Sequence, residues 1–272
     1  MHALHTLHNL HRPFGATELL VSPLGLGTVK IGRDQGVKYP NGFSIPDDAA
    51  VIELLAQAHD LGINLIDTAP AYGTSESRLG PLLRGQRQQW VIVSKVGEEF
   101  DNGHSSFDFS PAHTRFSVER SLKRLETDFI DLVLVHSDGN DVSILQDSGV
   151  YETLAELKRE GKIRGFGLSG KTVEGGLLAL EQGDCAMVTY NLNEQSELPV
   201  LDYAEQHGKG ILVKKALASG HACLAPGEDP VRASFELIFA HPAVSCAIVG
   251  TINAQHLAHN VATAAAVIQD IA

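Results

Sequence analysis

Eight short strand-like runs, mostly apolar, most restrict what this 272-residue chain can fold into. They are Leu24–Thr28, Ile63–Asp67, Trp90–Lys95, Ile130–His136, Ile163–Ser169, Ala186–Tyr190, Ile211–Lys214 and Cys246–Val249. A short continuous apolar run fits a parallel strand buried on both faces. Three successive runs end on Asp67, Lys95 and His136, and Tyr72 follows five residues after Asp67. The carboxyl end of such a sheet is where α/β proteins bind and transform small molecules. Asp, Tyr, Lys and His converging there make a proton-transfer site.

Helical patterns separate the runs. One starts at Asp47/Asp48 and reaches about His59, with Gly62 as its stop; Ser75 can cap a second through Leu83. Ser110-Pro111 opens a third to Leu125, and Tyr151–Arg159, Val173–Leu180, Leu198–Gln206, Asp229–Phe239 and Ala254–Ile268 complete the set. Eight strands each followed by a helix predict a (β/α)8 TIM barrel, with Leu19 to Val21 as one arm of a short N-terminal β-hairpin. A doubly wound open sheet is the alternative, but it needs a phosphate-binding first turn. Here Gly25-Leu26-Gly27-Thr28 leads into a long loop instead. No Pro/Gly/Ser-rich linker interrupts the chain, so residues 1–272 read as one domain, with 1–13 as a flexible lead-in.

Composition narrows the function. A formal net charge of −12 argues against a nucleic acid or an acidic membrane as partner. No run approaches the length of a membrane span, and no signal-peptide pattern opens the chain, so a cytoplasmic protein is expected. Cys185, Cys223 and Cys246 are too widely spaced for a CxxC site; Cys185 and Cys246 read as buried thiols. His2, His5, His8 and His11 recur every three residues, which a metal could exploit on a helix; a solvated lead-in is the preferred reading, with no metal.

Residues Gly165 to Thr172 match both GxGxxG and the P-loop pattern GxxxxGK[ST]. A P-loop needs a full apolar strand before its first glycine, whereas here the strand-like residues lie inside the motif. The expectation is a strand ending at Ser169, with a phosphotransferase kept as a rival reading.

The four-residue constellation suits hydride reduction of a carbonyl, in which negative charge grows on oxygen and must be met by a proton. A tyrosine with a reference pKa near 10 is a poor acid at neutral pH. An ammonium about 4 Å away favours the phenolate by up to about 4 kcal/mol at an effective dielectric near 20. Pairing with Asp67 would temper that effect while fixing the ammonium, and His136 would orient the carbonyl oxygen.

The strings Asp67-Thr68-Ala69-Pro70-Ala71-Tyr72-Gly73, Glu76-Ser77-Arg78-Leu79-Gly80, Val93-Ser94-Lys95-Val96-Gly97 and Asp131 to His136 resemble the aldo-keto reductase superfamily. The resemblance runs from Gly15 to Asn260. It implies an NAD(P)H-dependent oxidoreductase acting on a small carbonyl compound, with Tyr72 as general acid, Lys95 and Asp67 tuning it and His136 positioning substrate. It further implies a dinucleotide stretched across the barrel mouth, met by Thr28, Ser169, Met187, Lys214, Lys215, Gly250, Thr251, His256 and Asn260. Several positions depart from the family pattern: Gly170 replaces an asparagine, Met187 a glutamine and Lys214 an aromatic residue. Gly250 and His256 stand where basic residues often clamp the 2′-phosphate of NADP(H); NADP(H) is the expectation and NAD(H) the alternative. The sequence stops at Ala272, where many relatives continue into a C-terminal loop, and the expectation is an open pocket, bounded near Val29, Lys30 and Tyr39 and by Phe100, Phe107 and Phe109. Two further readings share these residues: a redox-sensing nicotinamide-binding subunit, and a sugar dehydrogenase running oxidatively. Oligomeric state is left open by the sequence.

Overall fold

A computed structural model describes residues 6–37, 42–218 and 229–271. The eight barrel strands are β3 (Leu24–Gly27), β4 (Leu65–Asp67), β5 (Val91–Val96), β8 (Ile130–His136), β9 (Ile163–Ser169), β10 (Cys185–Thr189), β11 (Gly210–Lys214) and β12 (Val244–Val249). All are parallel, each pairs with the next in this order, and β12 closes on β3. The sequence-based strands match this set to within about two residues at each end, the usual uncertainty of strand termini.

Outside the sheet run α2 (Asp48–Asp60), α3 (Ser75–Leu82), α4 (Pro111–Arg124), α6 (Val150–Arg159), α7 (Val173–Gln182), α8 (Leu198–His207), α9 (Pro230–Phe239) and α10 (Ala254–Ile271). Their starts follow from local chemistry. Asp47, Ser110, Thr172 and Asp229 each accept a backbone N–H of their helix's first turn through the side chain. The expected cap at Ser75 is corrected: Thr74 precedes α3, and the Ser75 hydroxyl instead donates to Thr28 and contacts Thr68. Two short helices, α1 (Val29–Gly32) and α5 (Asp141–Asp147), were not evident from periodicity.

The core has two layers. A large shell of Leu, Val, Ile and Ala lies between strands and helices. Inside the barrel a smaller cluster joins Leu65, Val91, Val93, Leu132, Leu134, Cys185, Met187, Leu212 and Cys246. The free thiols of Cys185 and Cys246 are buried as expected, and burial pushes both up, out of reach of the thiolate form at neutral pH; Cys223 lies outside the described residues.

The N-terminal hairpin, β1 (Arg12–Pro13) with β2 (Leu20–Val21), is antiparallel and plugs the amino end of the barrel with Phe14, Leu19 and Val21. The flexible lead-in is corrected for residues 6–13. Leu7 is fully buried, its N–H reaches the Leu61 carbonyl, and the His8 and His11 rings contact the carbonyls of Asp60 and Gly62. Those two imidazoles therefore fasten the chain to the end of α2. His2 and His5 lie outside the described residues, and among the described residues no group of three metal-binding side chains forms. Leu7→Ala is expected to destabilise the protein by about 2–5 kcal/mol, read as a lowered midpoint in urea denaturation; a free lead-in would leave the midpoint unmoved.

Candidate active site

Strand ends build the site. Asp67 and His136 are the last residues of β4 and β8, and Lys95 is the next-to-last of β5. Lys95 is almost wholly buried, so its ammonium must find fixed partners. Nζ donates to Asp67 Oδ1 at 2.5 Å and to the Thr68 carbonyl at 2.9 Å. Asp67 is likewise buried, and its carbonyl accepts from both the N–H and the hydroxyl of Thr28. Thr28 thus anchors β4's end to β3 from beneath the rim, with its hydroxyl also accepting from Ser75.

Tyr72 sits on the turn between β4 and α3. Its hydroxyl donates to Asp67 Oδ2 at 3.5 Å, and Lys95 Nζ lies 4.7 Å from the ring centroid. The turn is shaped by Gly32 and Gly73: a Cβ on Gly32 would collide with the Tyr72 carbonyl and with Ser75 backbone. Gly73 adopts φ +62°, a left-handed conformation natural to glycine. The His136 ring meets the Tyr72 ring edge-on, with centroids 6.2 Å apart. The four residues singled out in the sequence are therefore neighbours at one rim.

Glu98 was not among them. Its Oε2 stands 2.7 Å from His136 Nδ1, although the two groups are not aligned for a straight hydrogen bond. Glu98 opens β6 (Glu98–Asp101), which pairs with β7 (His104–Phe107) as an antiparallel hairpin beyond the end of β5. Burial works against ionising Glu98, but His136, Ser105 and Arg33 outweigh it and hold the carboxyl down to about 2. For His136, burial dominates and lowers the ring below its ordinary value, aided by Lys95 and Lys214 and opposed by Glu98.

The expected pocket walls are placed as follows. Phe100 stacks beneath the Arg33 guanidinium, whose carbon is 3.3 Å from the ring centroid, and Arg33 also donates to the Ala71 carbonyl. Phe107 and Phe109 stack on each other at 6.1 Å, and Lys30 Nζ lies 5.3 Å from the Phe43 ring centroid. Tyr39 lies outside the described residues.

On the rim's far side, Ser169 ends β9 beside His136 in register, and Lys214 ends β11. Lys214 Nζ donates to Ser169 Oγ at 3.1 Å and to the Gly170 carbonyl at 2.5 Å. Burial lowers this ammonium to about 8, against the attraction of Glu197. At Gly170 an added Cβ would lie 2.9 Å from Leu168 Cδ2 and 3.0 Å from Asp141 Oδ2, so a larger residue would require those side chains to shift. Met187 is buried inside the barrel, below the rim. Lys215 is exposed, with backbone φ +54°.

Gly250, Thr251 and His256 are surface residues near the start of α10, whereas Asn260 is largely buried on that helix. Asn253 caps α10, accepting from the N–H groups of Gln255 and His256, and Thr251 Oγ1 accepts from the Asn253 N–H.

The P-loop rival fails on geometry. β9 runs through the motif to Ser169, and the N–H groups of Lys171 and Thr172 both donate to Asp141 Oδ2. A side-chain carboxylate fills the place where a phosphate would have to sit. Burial would raise that carboxyl, but donors from Ser137, Lys171 and Thr172 outweigh it and lower it.

Comparison with known proteins agrees with the geometry. The Aldo/keto reductase family model matches residues 23–225, and the chain belongs to that family. It is an NAD(P)H-dependent oxidoreductase by class. Among solved structures, PA4992 of Pseudomonas aeruginosa, assigned to the aldo-keto reductases, is 70% identical over 97% of both chains, with a TM-score of 0.89. An L-galactose dehydrogenase of Arabidopsis thaliana is 32% identical over 77% of this chain and 66% of its own length. An NADH-specific methylglyoxal reductase of Escherichia coli is 32% identical over 72% of this chain and 60% of its own length. No helix among the described residues is long and apolar enough to cross a membrane.

Removing one member of the Lys95–Asp67 pair leaves a buried charge without its partner. Asp67→Asn is expected to cost about 3–5 kcal/mol, and Asp67→Asn with Lys95→Met to recover most of it. Denaturation of the wild type, both single variants and the double variant checks this coupling.

Proposed function

We propose that this chain reduces aldehyde or ketone carbonyls, with the Tyr72 hydroxyl as proton donor to the substrate oxygen. The observation that carries the reading is Tyr72 at a rim shared with the buried Lys95–Asp67 pair and the His136 ring. Bound NAD(P)H supplies the hydride to the carbonyl carbon. As negative charge grows on oxygen, Tyr72 releases its proton toward it, and the nearby Lys95 ammonium stabilises the phenolate left behind. Asp67 holds that ammonium in place, so little reorganisation is needed at the moment of transfer. His136, whose ring meets the Tyr72 ring edge-on, would orient the reacting oxygen.

The rim suits a nicotinamide carboxamide. Ser169 Oγ accepts from Lys214 and keeps its own proton to donate, and the neighbouring Lys214 adds positive charge. Lys215, Gly250, Thr251, His256 and Asn260 are proposed to meet the phosphates and adenosine, with Thr28 and Met187 supporting the floor. We favour NADP(H). NAD(H) is supported as a second reading because residues 249–260 contain no lysine or arginine to fix a 2′-phosphate. The exposed His256 offers a full charge only when protonated. A relative named for NADH specificity points the same way.

Turnover of a reactive aromatic aldehyde, followed as loss of reduced-nicotinamide absorbance with NADPH and NADH in parallel, tests the reading. Tyr72→Phe is expected to lower kcat by about a hundredfold or more, as loss of a general acid should. Cofactor binding without turnover would shift the function to a sensor or a narrow sugar dehydrogenase, and absence of both would overturn it.

A further inference from the structure

Among the described residues, Glu98 is the carboxylate in ion-pair contact with the His136 ring, and it rides on a hairpin outside the barrel. Its carboxylate has Oε2 2.7 Å from Nδ1, while Oε1 accepts from Ser105 Oγ at 2.6 Å on the paired strand. The hairpin is steadied by Phe100, two residues along, stacked under Arg33. A carboxylate offers only acceptors, and a neutral imidazole has one N–H and one bare nitrogen. A bare Nδ1 facing this oxygen would set two lone pairs against each other. The proton therefore belongs on Nδ1, and Nε2 is the nitrogen left for the reacting oxygen.

We propose that Glu98 is a positioning residue that fixes His136 as the Nδ1–H tautomer. Its Nε2 then accepts a hydrogen bond from an alcohol substrate when the ring is neutral, and donates to a carbonyl only as imidazolium. The inference rests on the reductase reading and deepens it, because it divides the two reaction directions between two charge states of one ring. Carbonyl reduction draws on the imidazolium; oxidation of a hydroxyl-bearing substrate such as a sugar uses the neutral ring. The second direction is the one named for the Arabidopsis relative.

The charged groups around the ring set the balance. Lys95 from β5 and Lys214 from β11 disfavour the imidazolium, whereas Glu98 from β6 favours it. Tyr72 meets the ring from the turn after β4, and Arg33 lies near enough to act on both Glu98 and Tyr72. Replacing Glu98 by glutamine removes this favourable charge, so the ring loses its proton at lower pH. The same change lets the carboxamide present either its oxygen or its NH2 to Nδ1, which frees the tautomer.

Two measurements decide the matter. The first needs no activity: nitrogen-15 spectra of the His136 ring in the cofactor-free protein near neutral pH, with its signal assigned by loss in His136→Asn. The Nδ1–H pattern is expected in the wild type and a mixture or the Nε2–H form in Glu98→Gln; an Nε2–H pattern in the wild type overturns the proposal. The second compares pH profiles of kcat/KM in both directions for wild type, Glu98→Gln, Glu98→Asp and Ser105→Ala. Glu98→Gln is expected to move the fall of the reductive profile and the rise of the oxidative one to lower pH by about one unit. Glu98→Asp, which keeps the charge, and Ser105→Ala, which only loosens the hairpin, should stay close to wild type. Unchanged profiles in Glu98→Gln, or an equal shift in Ser105→Ala, would show that Glu98 merely pins the hairpin. A wild type that turns over no carbonyl or sugar substrate would sink the reductase reading instead, while the spectra still decide the tautomer.

Discussion

The buried contact between Lys95 and Asp67 is the constraint on which the site depends. Neither charge can return to water without opening the barrel, and neither tolerates the interior alone. Their attraction fixes the ends of β4 and β5 against each other, and the Thr68 carbonyl takes a second ammonium proton. Thr28 then clasps the Asp67 backbone from β3, and Ser75 clasps Thr28 from α3. Through this chain of contacts a helix, three strands and the Tyr72 turn are held in one arrangement. The phenol hydroxyl shares the carboxylate that the lysine uses, so one side chain positions both the Tyr72 hydroxyl and the Lys95 ammonium.

A second consequence is electrostatic. The chain as a whole carries a formal charge of −12, yet Lys95 and Lys214 concentrate positive charge at the barrel mouth, with Lys215 exposed beside them. Desolvation lowers the Lys214 ammonium to about 8, so this charge is held at a cost, set by burial and eased by Glu197. Asp67 pairs with Lys95 and Glu197 faces Lys214, so of these three cations the exposed Lys215 is the one open to an anion. A dinucleotide with its pyrophosphate is such an anion, which agrees with the family to which the chain belongs.

Most of this was legible in the sequence because buried parallel strands announce themselves as apolar runs, and their polar last residues announce a rim. Asp67, Lys95 and His136 were readable for that reason, and Tyr72 through its distance from Asp67. Glu98 was missed because the hairpin that carries it, Glu98 to Phe107, is polar and half-exposed and lacks the apolar alternation of a core-facing strand. A signal existed nonetheless. Asn102-Gly103 is a strong turn dipeptide, and both residues take positive φ, +48° and +85°, as a tight two-residue hairpin requires. The N-terminal segment was misread for a different reason: its polar, His-rich composition suggests solvent, while a single leucine, Leu7, decides its packing. Asp141 was silent because its role, quenching the amides of Lys171 and Thr172, depends on a neighbour thirty residues away in the chain.

The placement of Glu98 follows a division of labour between scaffold and loop. Residues on barrel strands are locked by partners on both sides: moving Lys95 or Asp67 leaves a charge unpaired, so the surroundings of the Tyr72 hydroxyl have little freedom to be retuned. On this fold the loops at the carboxyl end are where one chemistry becomes another. Glu98 has its own local support in Ser105 and acts on the site through a single contact with His136. Its charge can therefore bias His136 toward holding or releasing a proton without disturbing the Lys95–Asp67 pair beneath. Tyr72, the proposed proton donor, is tied to the barrel through Asp67, and the proposed preference between carbonyl and alcohol is set from the hairpin.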